Sequence, residues 1–227
     1  NGLCIKIGNE VDPLQASSAA IASIALNSVL LANPLIGSKA LVIGCGLIGQ
    51  FIIQFLNISG VESTSVDIDY SKKEQSLLHG SNSFLSLEEF HQANISNEFE
   101  NVFIVTPSIE KELWELIGNN SKSNSNIVMV GAADLNCPRE IFYKKQLNFI
   151  SPHSYGPGRG LYDFEILGKD FPKFSQTWDL RSNVKTFIKL LCDKKVSTSF
   201  IDVFEIDSAP ISSLNEVLEN KKSFSTI

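Results

Sequence analysis

The sequence lacks the features that would tie it to a membrane or to nucleic acid. No part of its 227 residues concentrates lysine or arginine, and the net charge is −6. Because nucleic acid and anionic membranes both need a basic face, neither is an expected partner. The longest apolar stretches, residues 21–31 and 41–56, are too short or too interrupted to span a bilayer. Residues 1–7 do not have the pattern of a signal peptide.

Cysteine and histidine are scarce as well. The four cysteines form no C-x-x-C pair, which favours a reducing cytoplasm. They are Cys4, Cys45, Cys137 and Cys192. Only three histidines are present, His79, His91 and His153, and none clusters with cysteine at metal-ligand spacing. The sequence therefore predicts no zinc site.

Apolar segments of strand length alternate with segments of helical periodicity along most of the chain. Strands are predicted at 3–7, 41–43, 63–68, 83–84, 102–105, 127–130, 147–150 and 200–204. Helices are predicted at 12–32, 47–56, 71–78, 87–91, 110–117, 184–191 and from Ser213 onward, and a polar loop at 118–126. Strands that are apolar throughout and alternate with helices predict a doubly wound α/β fold with a parallel sheet, of the Rossmann type.

Three regions follow from this pattern. Residues 1–36 are expected to supply a strand and a helix that lead into the core, and residues 37–151 the dinucleotide-binding core. From residue 152 to 227 the composition changes to a loop rich in glycine and proline, followed by a helix–strand–helix extension.

The stretch "ALVIGCGLIGQFIIQFL" carries a G-x-G-x-x-G motif at Gly44, Gly46 and Gly49, between a strand and a helix. In such a unit the first glycine makes the tight turn and the second lets the backbone approach a pyrophosphate. The third allows the helix to pack closely on the strand. The opposing interpretation is a tight turn without a ligand. A P-loop would need a following Lys-Ser or Lys-Thr, and a methyltransferase motif would need glycine at Ile48.

Asp67 lies 18 residues past Gly49, at the end of the second predicted strand. A carboxylate at this position accepts hydrogen bonds from both ribose hydroxyls and repels a 2′-phosphate, so NAD is favoured over NADP. Lys72 and Lys73 lie nearby and weaken that preference. A solvated strand end is the alternative role for Asp67.

Longer stretches add a family resemblance. They are "DPLQASSAAIASIALNSVLLANPLIGSKALVIGCGLIGQ", "VDIDYSKKEQSLLHGS", and "VMVGAA" ahead of "FYKKQLNFISPHSYGPGR". In this order they resemble the cofactor-binding domain of medium-chain dehydrogenases/reductases, the zinc-type alcohol-dehydrogenase-like oxidoreductases, over nearly the whole chain. The "SYGPGR" stretch and the "YDFEILGKDFP" that follows also resemble the dehydrogenase half of bi-domain oxidoreductases of polysaccharide gene clusters.

The resemblance implies three sets of cofactor contacts. The pyrophosphate would be held by Gly44, Gly46, Leu47, Ile48 and Gly49, and the adenosine ribose by Asp67. The cleft between adenine and nicotinamide would be lined by Thr106 and Pro107, and the nicotinamide would lie against Val130, Gly131 and Ala132. The resemblance also implies a homodimer formed through the sheet edge at 147–150.

Two departures from the family are expected to matter. Family members carry an N-terminal barrel-like domain that supplies much of the substrate cleft, and the sequence has no counterpart of it. Zinc-using members place a cysteine ligand in the first helix of the cofactor domain, where this sequence has Ala19 and Ala20. The chemistry is therefore expected to be independent of zinc.

Candidate substrate residues follow the last predicted strand of the core. His153 or Tyr155 would relay a proton, and the planar fork of Arg159 would clamp a carboxylate or phosphate. A rigid loop with a packed tyrosine and a solvated arginine is the alternative. Cys45, inside the glycine turn, is interpreted as a small filler residue in preference to a reactive thiol.

Two functions remain open from the sequence. The first is a zinc-independent, NAD(P)-dependent oxidoreductase that moves hydride between the nicotinamide and a small alcohol, carbonyl or sugar-derived substrate. The second is a non-catalytic dinucleotide-binding module, or a cofactor domain that needs a separate substrate domain or chain. The sequence names no catalytic proton donor.

Overall fold

A six-stranded, wholly parallel sheet forms the centre of the molecule. The computed structural model describes residues 4–93, 98–132, 137–169, 178–201 and 203. The strands are β1 (Lys39–Ile43), β2 (Glu62–Asp67), β3 (Ser83–Ser86), β4 (Phe99–Ile104), β5 (Ser121–Met129) and β6 (Asn148–Ile150). Their order is β3-β2-β1-β4-β5-β6. The predicted doubly wound fold is confirmed. The direction of winding reverses between β1 and β4, which is where ligands bind in such sheets.

Nine helices surround this sheet in the described part of the chain. They are α1 (Pro13–Ala16), α2 (Ala19–Ala32), α3 (Leu47–Ile58), α4 (Lys73–Leu78), α5 (Leu87–Gln92), α6 (Lys111–Asn120), α7 (Arg139–Lys145), α8 (Tyr162–Glu165) and α9 (Leu180–Cys192). A short 3-10 turn, Tyr70–Lys72, leads into α4. None of the described helices is long and apolar enough to cross a bilayer.

Alternate side chains of the central strands feed two separate cores. In β1, Ala40 and Val42 pack toward α2, α3 and α9, whereas Leu41 and Ile43 pack toward α5, α6 and α7. Trp114 of α6 is completely buried in the second core, as its apolar helix face predicts. Both faces of the sheet are therefore covered at β1, which explains why that strand is apolar from Ala40 to Ile43.

The N-terminal segment differs from its prediction in two ways. The described residues 4–7 form no strand. The expected helix over 12–32 is two helices, because the chain turns at Ser17 and Ser18. Asp12 caps α1 as predicted, since its Oδ1 accepts from the Leu14 N–H at 2.9 Å. Asn33, in the left-handed region at φ 46°, ends α2.

The polar segment 118–126 is not the loop that its composition predicted. Helix α6 continues to Asn120, and β5 begins at once with Ser121. The strand register then shifts, because Phe99 pairs with Ser121 and Asn101 pairs with Asn126. The surplus residues bulge from the strand, and Ser125 Oγ closes the bulge by donating to Phe99 O at 2.7 Å.

Differences at the C-terminal side are confined to short elements. The amphipathic helix predicted at 184–191 is present as α9. Phe200 and Ile201, expected in a strand, lie in a turn, and the helix expected from Ser213 lies outside the described residues. Helix α7 was not predicted, and none of its residues is fully buried, so it lacks the apolar stripe that marks a longer helix.

Candidate functional site

The glycine turn joins β1 to α3 at the carboxyl edge of the sheet. Gly44 has φ +96°, a conformation that side chains disfavour, and its N–H donates to Val66 O at 2.8 Å. A Cβ on Gly44 would also lie 3.1 Å from Thr106 Cγ2. Both the backbone angle and the neighbouring strand therefore require glycine here.

Gly46 and Gly49 differ in what surrounds them. A Cβ on Gly49 would overlap the carbonyl oxygen of Gly44, so the close packing of α3 on the turn excludes any side chain. A Cβ on Gly46 would have no described atom within 4 Å. The fold therefore explains Gly49 but gives no steric reason for glycine at 46, and the space above Gly46 is open for a ligand to approach the backbone.

The first turn of α3 presents bare amides to that space. Gly46 occupies the N-cap position and supplies no side-chain cap, and the first turn contains no acidic residue. The N–H groups of the opening residues, Leu47 and Ile48 among them, lie at the positive end of the helix dipole. Such an end favours the oxygens of a pyrophosphate, so the local structure fits that group.

Asp67 sits at the end of β2 and reaches back to the glycine turn. Its Oδ2 accepts from Cys45 N–H at 2.6 Å, and its Oδ1 accepts from Asp69 N–H at 2.8 Å. These two backbone bonds fix the carboxylate next to the turn. Because each carboxylate oxygen has more than one lone pair, Asp67 can still accept from ribose hydroxyls.

A cleft of about 290 Å³ opens beside Asp67 at the carboxyl ends of β1, β2 and β4. Its lining consists of Ile43, Gly44, Val66, Asp67, Ile68, Leu87, His91, Thr106, Pro107, Ser108, Glu110, Glu112 and Leu113. The cleft combines apolar walls with the fixed carboxylate of Asp67, which suits a nucleoside, and Glu110 and Glu112 add two further carboxylates to its lining. Thr106 and Pro107 thus line a cleft that also contains Asp67.

The ends of β4 and β5 meet at Thr106 and Gly131. The N–H groups of Val130 and Gly131 both donate to Ile104 O, at 2.9 and 3.0 Å, and a Cβ on Gly131 would overlap Thr106 O. These contacts bring the backbone that follows β5, where the nicotinamide is expected, next to the end of β4 that borders Gly44. Thr106 Oγ1 is buried without a hydrogen-bond partner among the described residues.

The two lysines close to Asp67 are held by their own segment. Lys72 is 7% exposed, and its ammonium lies 3.9 Å from Asp69 Oδ2. The Lys73 ammonium donates to the Tyr70 hydroxyl at 2.5 Å, and this bond raises the pKa of Lys73. Neither lysine belongs to the lining of the cleft.

Cys45 has the environment of a packing residue. Its side chain is fully buried, and its Sγ lies 3.6 Å from Val66 O. Burial, aided by the negative charge of Asp67, raises the pKa of the thiol to about 12. A thiol that stays protonated is a poor nucleophile, which agrees with the filler interpretation.

The three candidate substrate residues lie in the loop after β6 and are absent from the lining of the cleft. His153 is exposed. Arg159 Nη1 donates to both carboxylate oxygens of Glu165 at 3.0 Å, and its guanidinium lies 5.4 Å from the centre of the Tyr155 ring. Burial opposes the ionisation of Glu165, but the Gly160 N–H, Arg159 and Tyr155 outweigh it and hold the pKa of that carboxyl below its ordinary value.

Three polar side chains behind the glycine turn, Gln50, Ser76 and His79, were not predicted, and all of them are buried. The only signal was a glutamine within the apolar helix "LIGQFIIQFLNI". His91, Glu110 and Glu112 in the cleft were not predicted either. In the part of the chain that the structure describes, no group of three His, Cys, Asp or Glu side chains is placed to hold a metal ion.

Solved structures share this fold. No protein-family model matches the sequence, and no curated protein matches it. 2R,3R-Butanediol dehydrogenase from Bacillus subtilis superposes with a TM-score of 0.73 at 15% identity, over 96% of this chain and 58% of that one. Acetophenone reductase from Geotrichum candidum, in complex with NAD, gives 0.70 at 15% identity over 97% and 57%. A cinnamyl alcohol dehydrogenase from Sorghum bicolor gives 0.71 at 14% identity over 97% and 56%.

The chain shares its fold with part of each of these dehydrogenase and reductase structures. It spans little more than half the length of the solved structures it matches. The predicted resemblance is thus confirmed at the level of the fold.

Proposed function

We propose that this chain binds NAD at the glycine turn and acts as the cofactor-binding part of an NAD(P)-dependent oxidoreductase. The observation that carries the proposal is the open space above Gly46, which faces the uncapped first turn of α3 beside the fixed carboxylate of Asp67. When bound, the cofactor supplies hydride transfer, and the protein supplies binding and orientation.

Each part of the site has a role in this proposal. The pyrophosphate lies on the backbone of Gly44 to Gly49, against the N–H groups of Leu47 and Ile48. Asp67 accepts from the ribose hydroxyls, and Thr106 and Pro107 line the cleft between adenine and nicotinamide. The nicotinamide lies against the backbone of the β5 end, formed by Val130, Gly131 and Ala132.

We propose NAD as the preferred cofactor because the charges near the ribose position are unfavourable for a 2′-phosphate. Asp67 is held in place by two backbone bonds, so it cannot turn away from an added phosphate without losing them. Lys72 is buried near Asp69, and Lys73 is bonded to Tyr70. Two of the similar structures contain NAD or NADH.

For the reaction we propose a zinc-independent transfer of hydride to or from a small alcohol, carbonyl or sugar-derived substrate. The similar structures include a butanediol dehydrogenase and a galactitol-1-phosphate dehydrogenase. Ala19 and Ala20 provide no metal ligand. Among the candidate substrate residues, exposed His153 is the one we assign to substrate, because Arg159 and Tyr155 are engaged with Glu165.

That engagement also favours the second function, a dinucleotide-binding module that needs a substrate domain or partner chain to catalyse. The guanidinium that would clamp a substrate anion already holds a carboxylate in this chain. Turnover separates the two functions. Oxidation of NADH with a panel of small ketones, aldehydes and ketoses supports an enzyme, whereas binding of NADH without turnover supports the module.

We also propose that the chain pairs with a second copy through β6. This strand forms an edge of the sheet, and Phe149 on it is 38% exposed. An exposed edge strand can pair with a strand of another chain.

A reducing cytoplasm is the proposed location, supported by four cysteines that are all free thiols.

Titration of the protein with NADH and NADPH, followed by nucleotide fluorescence, tests the cofactor proposal. We expect NADH to bind at least about tenfold more tightly, since a like charge beside Asp67 opposes a 2′-phosphate. Asp67→Asn is expected to weaken NADH binding and to reduce the difference between the affinities for NADH and NADPH. Asp69→Asn, which changes a carboxylate two residues away, is the matched control and should retain wild-type preference. Equal affinity of the wild type for both nucleotides would contradict the proposal.

A further inference from the structure

A cluster of polar side chains lies inside the otherwise apolar layer between α3 and α4. Gln50 and Ser76 are completely buried, and His79 is 5% exposed. Their neighbours on α3 include Phe51 and Ile53, which are fully buried apolar residues. Burying amide and imidazole groups is costly unless each is hydrogen-bonded, so this cluster needs a specific reason.

The cluster is hydrogen-bonded to the glycine turn. Gln50 Nε2 donates to Cys45 O at 3.1 Å and to Ser76 Oγ at 2.9 Å. Gln50 Oε1 lies 2.7 Å from His79 Nδ1, which must donate because an amide oxygen only accepts. His79 Nε2 then accepts from Gln75 Nε2 at 2.7 Å. The imidazole is therefore neutral, and its burial lowers the pKa of His79 to about 4.

Cys45 carries this network to the carboxylate at the proposed cofactor site. Its carbonyl accepts from Gln50, and its own N–H donates to Asp67 Oδ2 at 2.6 Å. A continuous path of hydrogen bonds thus runs from His79 through Gln50 and the backbone of Cys45 to Asp67.

We propose that Gln50 and His79 are positioning residues for dinucleotide binding, which fix the backbone of Cys45 so that Asp67 faces the ribose. This inference rests on the proposed function. The rotamer of Gln50 is set from two sides, by His79 on its oxygen and by Ser76 on its nitrogen. Because the Gln50 amide is held in this way, its bond to the Cys45 carbonyl holds the backbone of Cys45 in one position. The Cys45 N–H, which bonds to Asp67, then fixes the orientation of the Asp67 carboxylate.

Gln54 provides a matched control on the same helix. It lies one turn after Gln50 and is 4% exposed, and besides one longer bond of 3.4 Å from its Nε2 to the backbone oxygen of Gln50 it makes two bonds outside the helix. Its Nε2 donates to Ser197 O at 3.1 Å, and its Oε1 accepts from Ser197 N–H at 2.7 Å. These bonds tie α3 to the segment after α9 and do not involve the glycine turn.

The test compares Gln50→Met with Gln54→Met, which remove the same amide at equal side-chain length. We expect both to destabilise the fold, but only Gln50→Met to weaken NADH binding, by about tenfold, the usual scale for one lost hydrogen bond in a polar network. Equal effects of the two variants on NADH binding would overturn the proposal, because the role of Gln50 would then be structural only.

A double-mutant cycle with Asp67→Asn supplies a measurement that general destabilisation does not move. If Gln50 acts through Asp67, then Gln50→Met has little further effect on NADH binding once Asp67 is changed. An undiminished effect in that background overturns the proposal. Should Gln50→Met fail to fold, His79→Leu takes its place in the cycle and is expected to give a smaller effect of the same kind.

Failure of the proposed function is visible separately, as absence of NADH binding by the wild type. The positioning claim is then decided without any nucleotide, by hydrogen exchange at the Cys45 amide. Loss of Gln50 is expected to speed that exchange by about tenfold, since the N–H bond to Asp67 loosens, whereas Gln54→Met leaves it unchanged. Unchanged exchange in Gln50→Met overturns the claim.

Discussion

The substitutions Gly46→Ala and Gly49→Ala each add one methyl group, and together they distinguish a glycine that cofactor binding requires from a glycine that the fold requires. Gly46 has φ −72° and ψ −164°, which any residue adopts, and a Cβ there has no described atom within 4 Å. A Cβ on Gly49 meets Gly44 O at less than 3.0 Å, a separation that real Cβ atoms essentially never show. The two substitutions should therefore act on different properties.

The expected magnitudes follow from these surroundings. For Gly46→Ala, the poorer N-cap costs up to about 1 kcal/mol, and the reduced entropy of the unfolded chain returns about 0.4–1 kcal/mol. Its net effect on the free energy of unfolding is then within about 1 kcal/mol. For Gly49→Ala, the turn and helix must move apart, and such overpacking costs about 3 kcal/mol.

For Gly46→Ala, the effect on NADH binding is expected to be larger than the effect on stability. The added methyl fills the space through which the pyrophosphate reaches the backbone, so Gly46→Ala should weaken NADH binding by at least tenfold, which is about 1.4 kcal/mol. Urea denaturation measures the first property, and NADH fluorescence titration measures the second. A folded Gly46→Ala protein that retains wild-type NADH affinity would show that the pyrophosphate does not enter this space.

Three further predictions concern other parts of the molecule. Because burial keeps His79 neutral while the unfolded chain takes up the proton near its ordinary pKa of 6.5, stability is full above pH 6.5 and falls as the pH drops toward about 4. The loss of stability reaches up to about 3 kcal/mol. Urea denaturation at a series of pH values should show that the free energy of unfolding changes less with pH for His79→Gln than for the wild type. Arg159→Met should cost on the order of 1 kcal/mol by the same assay, because Glu165 loses its partner, and should leave NADH affinity unchanged; a weakened affinity would place Arg159 at the cofactor. Phe149→Lys should convert a dimer to a monomer in analytical ultracentrifugation, and an unchanged mass would remove β6 from the interface.

The fold, and the meeting of Asp67 with the glycine turn, could be predicted because they depend on local patterns. Parallel buried strands leave apolar segments, and the glycine spacing fixes which residues meet at the first crossover. Asp67 followed from its position at the end of the second strand, which the sheet order places directly beside β1. These features need no knowledge of distant contacts.

Features that depend on tertiary contacts were missed. The bulge in β5 arises from the pairing of Phe99 with Ser121 and of Asn101 with Asn126, which polar composition cannot reveal. The bond between Gln50 and His79 joins residues far apart in sequence, and it exists only because α4 packs against α3. These interactions leave no periodicity and no short-range residue spacing in the sequence from which they could be predicted.

Arg159 shows the same difficulty for function. An exposed arginine in a glycine-rich loop suggests a clamp for an anion, but α8 brings Glu165 back onto it. The carboxylate of the protein thus binds Nη1 of the guanidinium that was expected to face a substrate. A sequence pattern identifies the chemistry of a side chain and leaves its partner undetermined.

A crystal structure of this protein grown with NAD is the most direct test of the account. The diphosphate is expected against the N–H groups of Leu47 and Ile48, with the adenosine ribose hydroxyls bonded to the Asp67 carboxylate. NAD bound elsewhere, or density at the turn that leaves Gly46 and Asp67 untouched, would contradict it.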